Sequence, residues 1–175
     1  MHIILVAAQS ADGFITRHEE PGSGFASRAD QAHFQRAMGT FDSSIMGSVT
    51  YVAARTMILG RLSASRRRLV LTREPAKFSA DSSPGRLEFT SEAPVALVRR
   101  LQAEGHRRCA ILGGAQIHGL FLKADLVDEL WLTVEPRLFG GGVPFLRTSM
   151  DFRMRLLGHE RLEGGDTLLL KYSRE

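Results

Sequence analysis

A short apolar run, two glycines and a helix-like stretch together form the feature that most restricts how this chain folds. Ala110–Leu112 is apolar and suits a buried strand. Gly113 and Gly114 follow it. Apolar residues then recur at the spacing of a helix, at Ile117, Leu120, Phe121 and Ala124. The pattern predicts a strand, a tight turn and a helix, whose glycines and free N–H groups suit a phosphate; a tight turn without a ligand is the alternative.

Length and composition favour a single domain over residues 1–175. Hydrophobic residues make up 43% of the chain, enough for a full core. No apolar run reaches the roughly 18 residues of a membrane span, and residues 1–6 lack the basic start and cleavage site of a signal peptide. The single cysteine, Cys109, lies beside an apolar run, which predicts a buried thiol. We therefore expect a cytoplasmic protein that does not interact with a membrane.

The charge pattern favours a small anionic partner. The net charge is +4, and a basic balance attracts nucleic acid, acidic surfaces or phosphorylated small molecules. Nucleic acid is disfavoured, because the one basic run, Arg66–Arg68, has no interleaved aromatic residues and suits the solvated start of a strand. The six histidines show no metal-ligand spacing with one another or with Cys109, so no metal is expected.

Strands and helices alternate along most of the chain. Residues 2–9 are apolar nearly throughout, which predicts a central strand buried on both faces. Further strands are predicted at 43–46, 68–73, 86–90 and 128–135, and polar loops at 17–26 and 76–86. Helices are predicted at 28–39, at 51–57 and between Pro94 and Gly105, the last with Val95, Val98 and Leu101 facing inward.

The predicted alternation of strands and helices ends at about residue 135. Residues 152–161 and 166–173 flank a turn at 164–166 and are expected to pair as a hairpin. The element order predicts an α/β fold with a mostly parallel central sheet, flanked by helices, that ends on an antiparallel hairpin.

Three predicted strand ends carry groups that suit a phosphate. One is the Gly113–Gly114 turn, and another is the helix start formed by Gly47, Ser48, Val49 and Thr50. At the third, the hydroxyl of Thr72 and the guanidinium of Arg73 could bind a phosphate, although Arg73 could also be an ordinary surface residue. A ligand with several phosphates explains all three features, and NADPH fits them, with its 2′-phosphate on the arginine.

Two acidic residues have both a structural and a functional interpretation. Asp12 precedes Gly13 after the first strand, where it could hold the turn or line a pocket at the carboxyl end of the strand. Asp30 lies three residues after Ser27 and one helical turn before Phe34, so it could cap the helix start or face the same pocket.

Six segments, by their order and spacing, carry a resemblance to a known family. They are Ser10–Ile15, Asp30–Phe34, Ile45–Tyr51, Leu69–Arg73, Ile111–Ile117 and Asp128–Phe139. They resemble the dihydrofolate reductase superfamily and, within it, the reductase domain of the bacterial riboflavin-pathway deaminase–reductase and its stand-alone relatives. The resemblance covers nearly the whole chain.

The resemblance implies a dihydrofolate reductase-like fold with NADPH bound across the carboxyl edge of the sheet. The pyrophosphate would lie on the helix starts at Gly47–Thr50 and Gly114–Ile117, the second of which includes Ala115 and Gln116. The other implied contacts are Thr72 and Arg73 for the 2′-phosphate, and Ala8 and Gly113 for the nicotinamide. The family also implies a homodimer formed through the late strands.

The family member of riboflavin synthesis reduces the ribosylamino group of a phosphorylated pyrimidine to a ribitylamino group. Hydride passes from nicotinamide C4 to C1′ of the sugar, through the open imine. We expect Asp12, Asp30 and Glu135 to line the substrate side, where a carboxyl group could supply the proton. The chain has no cytidine-deaminase-type zinc motif, so the usual fused partner domain is missing from it.

Two alternatives stay open. In dihydrofolate reductases and related pteridine reductases, an acid at the position of Asp30 holds the pterin, and Thr133 also matches; Phe34 and Thr133 are our candidate substrate contacts. The Phe139–Pro144 segment departs from the Gly-Asp-Thr pattern usual in those enzymes. The second alternative is a nucleotide-binding protein without turnover, or a basic surface that binds RNA.

Overall fold

One eight-stranded sheet forms the centre of the protein. The structure is a computed structural model that describes residues 1–175. The strands are β1 (His2–Ser10), β2 (Ser43–Gly47), β3 (Arg67–Leu71), β4 (Leu87–Thr90), β5 (Arg108–Ile111), β6 (Glu129–Glu135), β7 (Met154–Arg161) and β8 (Leu168–Arg174). The helices are α1 (Arg28–Met38), α2 (Ser48–Leu59), α3 (Pro94–Ala103) and α4 (Ala115–Lys123), with a 3-10 helix at Pro75–Asp81. None of them has both the length and the apolar character needed to cross a bilayer.

The strand order confirms the predicted fold class. The strands lie in the order β4-β3-β2-β5-β1-β6-β8-β7. All neighbours from β4 to β6 pair in parallel, whereas β8 pairs antiparallel with β6, and β7 with β8. The predicted central position of β1 is confirmed, because β1 lies between β5 and β6, and its residues Ile4 and Leu5 are fully buried.

The two largest apolar cores lie on opposite faces of this sheet. Leu5 of β1 packs in the larger core with Leu101 of α3 and Phe121 of α4. Its neighbour Ile4 packs on the other face with Met38 of α1. Because successive strand residues point to opposite faces, adjacent apolar residues of β1 contribute to different cores. This accounts for the uninterrupted apolar sequence of the strand.

Two apolar residues at helical spacing are exposed, and one of them, Val95, was predicted to face the core. Val95 on α3 is 40% exposed and Leu120 on α4 is 48% exposed. The buried residues of α3 are Leu97, Val98 and Leu101. A helix that lies on a sheet can bury positions i, i+1 and i+4 as well as i, i+3 and i+4, so the apolar spacing allowed two orientations.

The ends of two elements differ from the prediction. Helix α2 begins at Ser48, three residues earlier than predicted, and follows β2 directly. Strand β3 ends at Leu71, so Thr72 and Arg73 lie immediately beyond the strand rather than within it. Both changes bring predicted ligand contacts closer to the edge of the sheet.

Part of the predicted loop 76–86 is helical. The hydroxyl of Tyr51 donates a hydrogen bond to Asp81 at 2.7 Å, and the guanidinium of Arg55 binds the same carboxylate through two nitrogen atoms. These contacts attach the 3-10 helix to α2. No local pattern indicates this helix, because the residues that hold it lie about thirty positions earlier in the chain.

The basic run before and within β3 is partly buried, which corrects the expectation of a solvated segment. Arg68 is 5% exposed and donates a hydrogen bond to the carbonyl of Arg61, just past the end of α2. Arg66 donates to the carbonyl of Met38, the last residue of α1. Carbonyl groups at a helix C-terminus carry partial negative charge, so these guanidinium groups stabilise two helix ends.

The corrected orientation of α3 predicts different effects for two neighbouring substitutions. Leu97→Ala removes a fully buried side chain and is expected to lower the free energy of unfolding by about 2–5 kcal/mol. Val95→Ala, the matched control on the exposed face, is expected to change it by about 0.5 kcal/mol or less. Urea unfolding of both variants measures the difference. Similar losses in the two variants would contradict the orientation of the helix.

Candidate cofactor and substrate site

The carboxyl ends of the six parallel strands lie at one edge of the sheet, and five of these strand ends carry predicted site residues. They belong to β3, β2, β5, β1 and β6, in that order across the sheet. Because β2 and β5 are neighbours, the turns that follow them are adjacent. The main-chain N–H of Gly47 donates a hydrogen bond to the carbonyl of Gly113 at 2.8 Å. Two of the three strand ends that were predicted to bind phosphate are therefore joined by a hydrogen bond.

The helices that start at these two turns lack side-chain caps. Gly47 is the N-cap residue of α2 and Gly114 that of α4, and neither offers a side-chain acceptor to the first turn. In α1, by contrast, the hydroxyl of Ser27 accepts a hydrogen bond from the main-chain N–H of Asp30. Free N–H groups and the positive ends of two helix dipoles thus lie side by side, which favours an anionic ligand.

The two glycines of the Gly113–Gly114 turn, whose peptide bond is cis, have different roles. Gly113 has a φ of +97°, and a Cβ atom there would lie 2.7 Å from Nε2 of His118, so a side chain does not fit. A Cβ atom at Gly114 would lie 3.6 Å from Oγ1 of Thr50 and 3.9 Å from Ile15 Cδ1, which are ordinary contact distances. Gly114 therefore leaves an open space beside Thr50 and Ile15, called the cradle below, that a side chain would fill. An open space beside free N–H groups suits a phosphate.

His118 supports the turn by packing. Its side chain is 1% exposed, and its Nδ1 atom donates a hydrogen bond to the carbonyl of Phe145 at 2.9 Å. Burial lowers the pKa of His118 to about 4, so the imidazole is neutral near pH 7. Its Nε2 atom has no hydrogen-bond partner and lies against Gly113. The ring therefore restrains the backbone of the turn without adding a charge.

The predicted cofactor contacts on the helix starts divide into exposed and buried side chains. Val49 is 79% exposed, and Gln116 is exposed as well. Ala115 and Ile117 are buried, and Ile117 packs against Gly47. The buried pair can offer a ligand only main-chain groups of the first turn of α4.

The other predicted cofactor contacts lie along the same edge. Ser48 and Thr50 are partly exposed in the first turn of α2, and Ala8 is half-buried near the end of β1. Thr72 and Arg73 follow β3, the strand next to β2. The guanidinium of Arg73 is exposed and makes no ion pair within the protein, so it is free to bind a phosphate.

Asp30 and Thr133 form a buried pair at the end of the edge next to β6. Asp30 lies in the first turn of α1 and is 8% exposed, and Thr133 is 3% exposed. The hydroxyl of Thr133 donates a hydrogen bond to Oδ1 of Asp30 at 2.5 Å, while Oδ2 makes no hydrogen bond within the protein. Burial raises the pKa of Asp30, the bond from Thr133 opposes this rise, and the negative charge of Glu135 adds to it. Such a carboxyl group can give a proton to a substrate.

Glu135 is buried behind this pair, and both of its carboxylate oxygens are occupied. Oε1 accepts a hydrogen bond from the main-chain N–H of Ser27 at 2.8 Å, and Oε2 accepts one from the hydroxyl of Thr167 at 2.9 Å. Glu135 is 2% exposed and lies two residues after Thr133, on the same face of β6. It connects the end of β6 to the start of α1.

Asp12 holds two loops together. The hydroxyl of Ser10 donates a hydrogen bond to Oδ1 of Asp12 at 2.5 Å. The main-chain N–H groups of Phe139 and Gly140 donate to Oδ2 at 3.0 and 2.7 Å. These hydrogen bonds, the one from Ser10 foremost, hold the pKa of Asp12 below its usual range. Its carboxylate fastens the glycine-rich loop after β6 to the turn after β1.

The two loops fastened by Asp12 form one wall of the site. The main-chain N–H of Ile15 donates to the carbonyl of Val143 at 2.8 Å, and the N–H of Val143 donates to the hydroxyl of Thr16 at 2.9 Å. Gly142 has a φ of +142°, and a Cβ atom there would lie 2.3 Å from the carbonyl oxygen of Thr16, so glycine is required. Because Ile15 also approaches Gly114, this wall borders the cradle.

Phe34 and loop 17–26 complete the predicted site. Phe34 is half-buried on α1 and packs against the smaller core. Within the loop, a Cβ atom at Gly22 would lie 3.5 Å from Cβ of Ala53, so the loop contacts α2. The loop therefore reaches from the end of β1 to the helix that begins at the cradle.

The single cysteine and the histidines form no reactive cluster. Cys109 is fully buried in β5, as predicted, and burial raises the pKa of its thiol to about 12. No three histidine, cysteine, aspartate or glutamate side chains lie close enough together to hold a metal ion.

Three buried residues of the site were not predicted from the sequence. Ser10 and Thr167 bind the carboxylates of Asp12 and Glu135, and His118 packs under the glycine turn. His118 has one usable signal, its position one helical turn after Gly114. Nothing local marks Thr167, because its partners lie 32 and 140 residues earlier in the chain.

A family model and a curated relative match nearly the whole chain. The RibD C-terminal domain model matches residues 1–168. The chain belongs to the RibD C-terminal domain family. The uncharacterized protein YwjB of Bacillus subtilis strain 168 is 28% identical over 177 residues, which cover 98% of this chain and 97% of YwjB. The predicted family resemblance is thereby confirmed.

Solved structures share this RibD-type fold. A proposed riboflavin biosynthesis protein of Shewanella sp. PV-4 has a TM-score of 0.73 at 25% identity, covering 100% of this chain and 99% of its own. The Thermotoga maritima diaminohydroxyphosphoribosylaminopyrimidine deaminase/5-amino-6-(5-phosphoribosylamino)uracil reductase has a TM-score of 0.79 at 15% identity, covering 99% of this chain and 56% of its own. Acinetobacter baumannii RibD has a TM-score of 0.78 at 16% identity, with 99% and 58% covered. The chain thus spans little more than half of the last two proteins.

The environment of Asp30 in this RibD-type domain predicts a pH-dependent effect on stability. Because its pKa is raised, the folded protein binds the Asp30 proton more tightly than the unfolded chain, and stability is lost as pH rises through the folded pKa. In Asp30→Asn the amide keeps an acceptor for Thr133 and cannot ionise. We expect the melting temperature of the variant, measured against that of wild type at the same pH, to rise from about pH 4 to pH 8. The expected rise is about 2–4 °C for each kcal/mol of stability that wild type loses over this range.

The control for this experiment is Asp166→Asn, which alters an exposed acid in the hairpin turn. Its melting temperature relative to wild type is expected to stay nearly constant over the same range. A constant difference for Asp30→Asn as well would contradict the raised pKa of Asp30.

Proposed function

We propose that this protein is an NADPH-dependent reductase of a phosphorylated aminopyrimidine, resembling 5-amino-6-(5-phosphoribosylamino)uracil reductase of riboflavin synthesis. The reaction is a hydride transfer to C1′ of the ribosylamino group. Membership of the RibD C-terminal domain family and the similarity to proteins named as riboflavin-pathway reductases support a pyrimidine reductase-like role.

The observation that carries the cofactor assignment is the pair of adjacent, uncapped helix starts. The first turns of α2 and α4 lie next to each other, joined by the Gly47 to Gly113 hydrogen bond, and Gly114 leaves space between Thr50 and Ile15. Two adjacent helix starts offer N–H donors to both phosphates of a pyrophosphate.

The residues along the edge provide for the other parts of the cofactor. The Gly47–Thr50 and Gly114–Ile117 segments hold the pyrophosphate, and Thr72 and Arg73 hold the 2′-phosphate. In this proposal Ala8 and Gly113 would contact the nicotinamide. When bound, the cofactor supplies the hydride; the protein supplies orientation and a site screened from water.

The substrate side is formed by α1 and β6. Asp30 is the proton donor of this proposal, because its carboxyl group is buried, has a raised pKa and keeps one free oxygen. Thr133 orients Asp30, and Phe34 contributes an apolar surface one turn further along α1. Asp12, an ionised carboxylate that accepts three hydrogen bonds, maintains the wall of the site rather than donating a proton.

Reduction of a pteridine, as in dihydrofolate reductases, is the second candidate. The observation in its favour is the buried Asp30–Thr133 pair, since a carboxyl group held in this way can bind the amino and ring nitrogen atoms of a pterin. A nucleotide-binding protein without turnover is the third candidate. The three differ in whether NADPH is consumed, and with which substrate.

We also propose that the protein works in the cytoplasm as a homodimer formed through its last strands. The buried reduced cysteine suits a reducing compartment. Three leucines of the hairpin are about half exposed, namely Leu156 at 52%, Leu157 at 50% and Leu168 at 43%. Strand β7 is also an edge strand with unpaired main-chain groups.

The dimer proposal predicts the effect of placing charge on β7. Leu156→Glu with Leu157→Glu is expected to convert a dimer into a monomer, because two carboxylates oppose burial of this edge. Light scattering coupled to gel filtration measures the mass against 19.3 kDa for one chain. Val95→Glu, on an exposed face of α3, is the control. A wild-type protein with the mass of one chain would refute the dimer.

The cofactor proposal predicts distinct effects for two substitutions at the site. Arg73→Ala is expected to weaken NADPH binding about 10–100-fold and to leave NADH binding nearly unchanged, because a charge-assisted bond is worth about 1.5–3 kcal/mol. Gly114→Val is expected to weaken both cofactors, because its side chain occupies the cradle. Isothermal titration calorimetry, with quenching of Trp131 fluorescence as a second signal, measures the binding.

Arg86→Ala is the matched control, since Arg86 is exposed just before β4, at the opposite edge of the sheet. NADPH oxidation is then followed with the phosphoribosylamino-pyrimidine and with dihydrofolate as substrates. Equal losses for both cofactors in Arg73→Ala would remove this residue from the 2′-phosphate site. Absence of binding for either cofactor would refute the reductase.

A further inference from the structure

Glu135 is connected to the main chain of Asp30 by a continuous chain of hydrogen bonds. The single hydroxyl proton of Thr167 is donated to Glu135, so in the 2.9 Å contact between the Thr167 and Ser27 hydroxyls, Ser27 is the donor. The Ser27 oxygen accepts a hydrogen bond from the main-chain N–H of Asp30 at 3.1 Å. All polar groups of this unit are therefore paired.

The turn of the C-terminal hairpin also packs against the start of α1. A Cβ atom at Gly165, in the hairpin turn, would lie 3.1 Å from Cβ of Ala29. Thr167, just before β8, is fully buried. The position of the first turn of α1, and with it the meeting of Asp30 and Thr133, thus depends on the hairpin as well as on β6.

The groups that face Asp30 differ in charge. Glu135 on β6 is a charged side chain that acts on Asp30, and its negative charge favours the protonated form. Thr133 on β6, Ser27 before α1 and Thr167 before β8 present neutral hydroxyls. Glu135 accepts hydrogen bonds at both oxygens, as an ionised carboxylate does, while Asp30 accepts at one. Two neighbouring acids with unequal surroundings divide into an anion and a proton carrier.

We propose that Glu135, fixed by Ser27 and Thr167, is a positioning residue that keeps Asp30 protonated and directed at the substrate. The inference rests on the proposed reductase function and separates the roles of the two acids. Asp30 gives the proton, and Glu135 acts through Asp30 without contacting the substrate. Thr167 becomes part of the site although it lies in the terminal hairpin.

The proposed step balances in protons and electrons. The C=N bond of the substrate gains a hydride at carbon from the reduced nicotinamide and a proton at nitrogen from Asp30. The imine becomes an amine, and the cofactor leaves in its oxidised form. Asp30 is left as a carboxylate, which takes a proton from water before the next turnover.

The titration of Asp30 tests the proposal without a substrate. Carboxyl-carbon NMR of the folded full-length protein follows the Asp30 signal as the pH changes. Glu135→Gln is expected to move this titration to lower pH, because it removes the adjacent negative charge and keeps the shape of the side chain. Thr167→Val is expected to move it in the same direction, because Oε2 loses its donor and the carboxylate can turn away.

Two controls separate this charge effect from a general loss of structure. Thr167→Ser retains the hydroxyl, and Glu163→Gln neutralises an exposed acid of the hairpin turn; both are expected to leave the Asp30 titration unchanged. With a substrate in hand, the alkaline limb of the pH–rate profile, where activity falls as free Asp30 loses its proton, is expected to move with the titration in each variant.

An Asp30 titration that is the same in wild type and Glu135→Gln would overturn the proposal. If Thr167→Val does not fold, Glu135→Gln and Thr167→Ser decide the question. The outcome does not depend on the proposed reductase function. That function is refuted by a different measurement, namely absence of nicotinamide cofactor binding by the wild-type protein. Coupling of the two acids is read from the titration alone.

Discussion

Parallel pairing of the central strands is the constraint on which the site depends. Because β3, β2, β5, β1 and β6 run in the same direction, every turn that follows them opens on one edge of the sheet. The neighbouring positions of β2 and β5 bring together helix starts that are 67 residues apart and join them through the Gly47 to Gly113 hydrogen bond. A cofactor that bridges strands needs this order of strands, which the glycine turns alone do not supply.

The same edge shows how surroundings give one type of side chain different roles. Asp12 accepts three hydrogen bonds at an exposed position, so its anionic form is stabilised and it links the turn after β1 to the glycine-rich loop after β6. Asp30 is buried, accepts one hydrogen bond and lies near another acid, so its protonated form is favoured. The number and kind of donors around each carboxyl group decide between these outcomes.

The fold was largely predictable, because its signals are local. Apolar runs, glycine turns and the terminal hairpin each depend on a few consecutive residues, whereas the order of the strands in the sheet was not predicted. The failures have a physical cause as well. Val95 and Leu120 fit the helical spacing, but neighbouring residues form the side of each helix that packs on the sheet, so both are exposed. The 3-10 helix at Pro75–Asp81 depends on Tyr51 and Arg55, which no pattern within the segment reveals.

By itself the sequence determined the α/β alternation, the glycine turns at the strand ends and the set of candidate acids, since periodicity and backbone freedom are properties of neighbouring residues. Only the tertiary structure decided the surroundings of each acid: Asp12 accepts three hydrogen bonds, Glu135 is buried with both oxygens bonded, and Asp30 is buried with one bonded oxygen. The roles proposed for the three acids follow from these surroundings. Those roles depend on partners such as Thr133, which is 103 residues from Asp30, and Thr167, which is 140 residues from Ser27. Burial and hydrogen bonding between such distant segments exist only after the chain has folded.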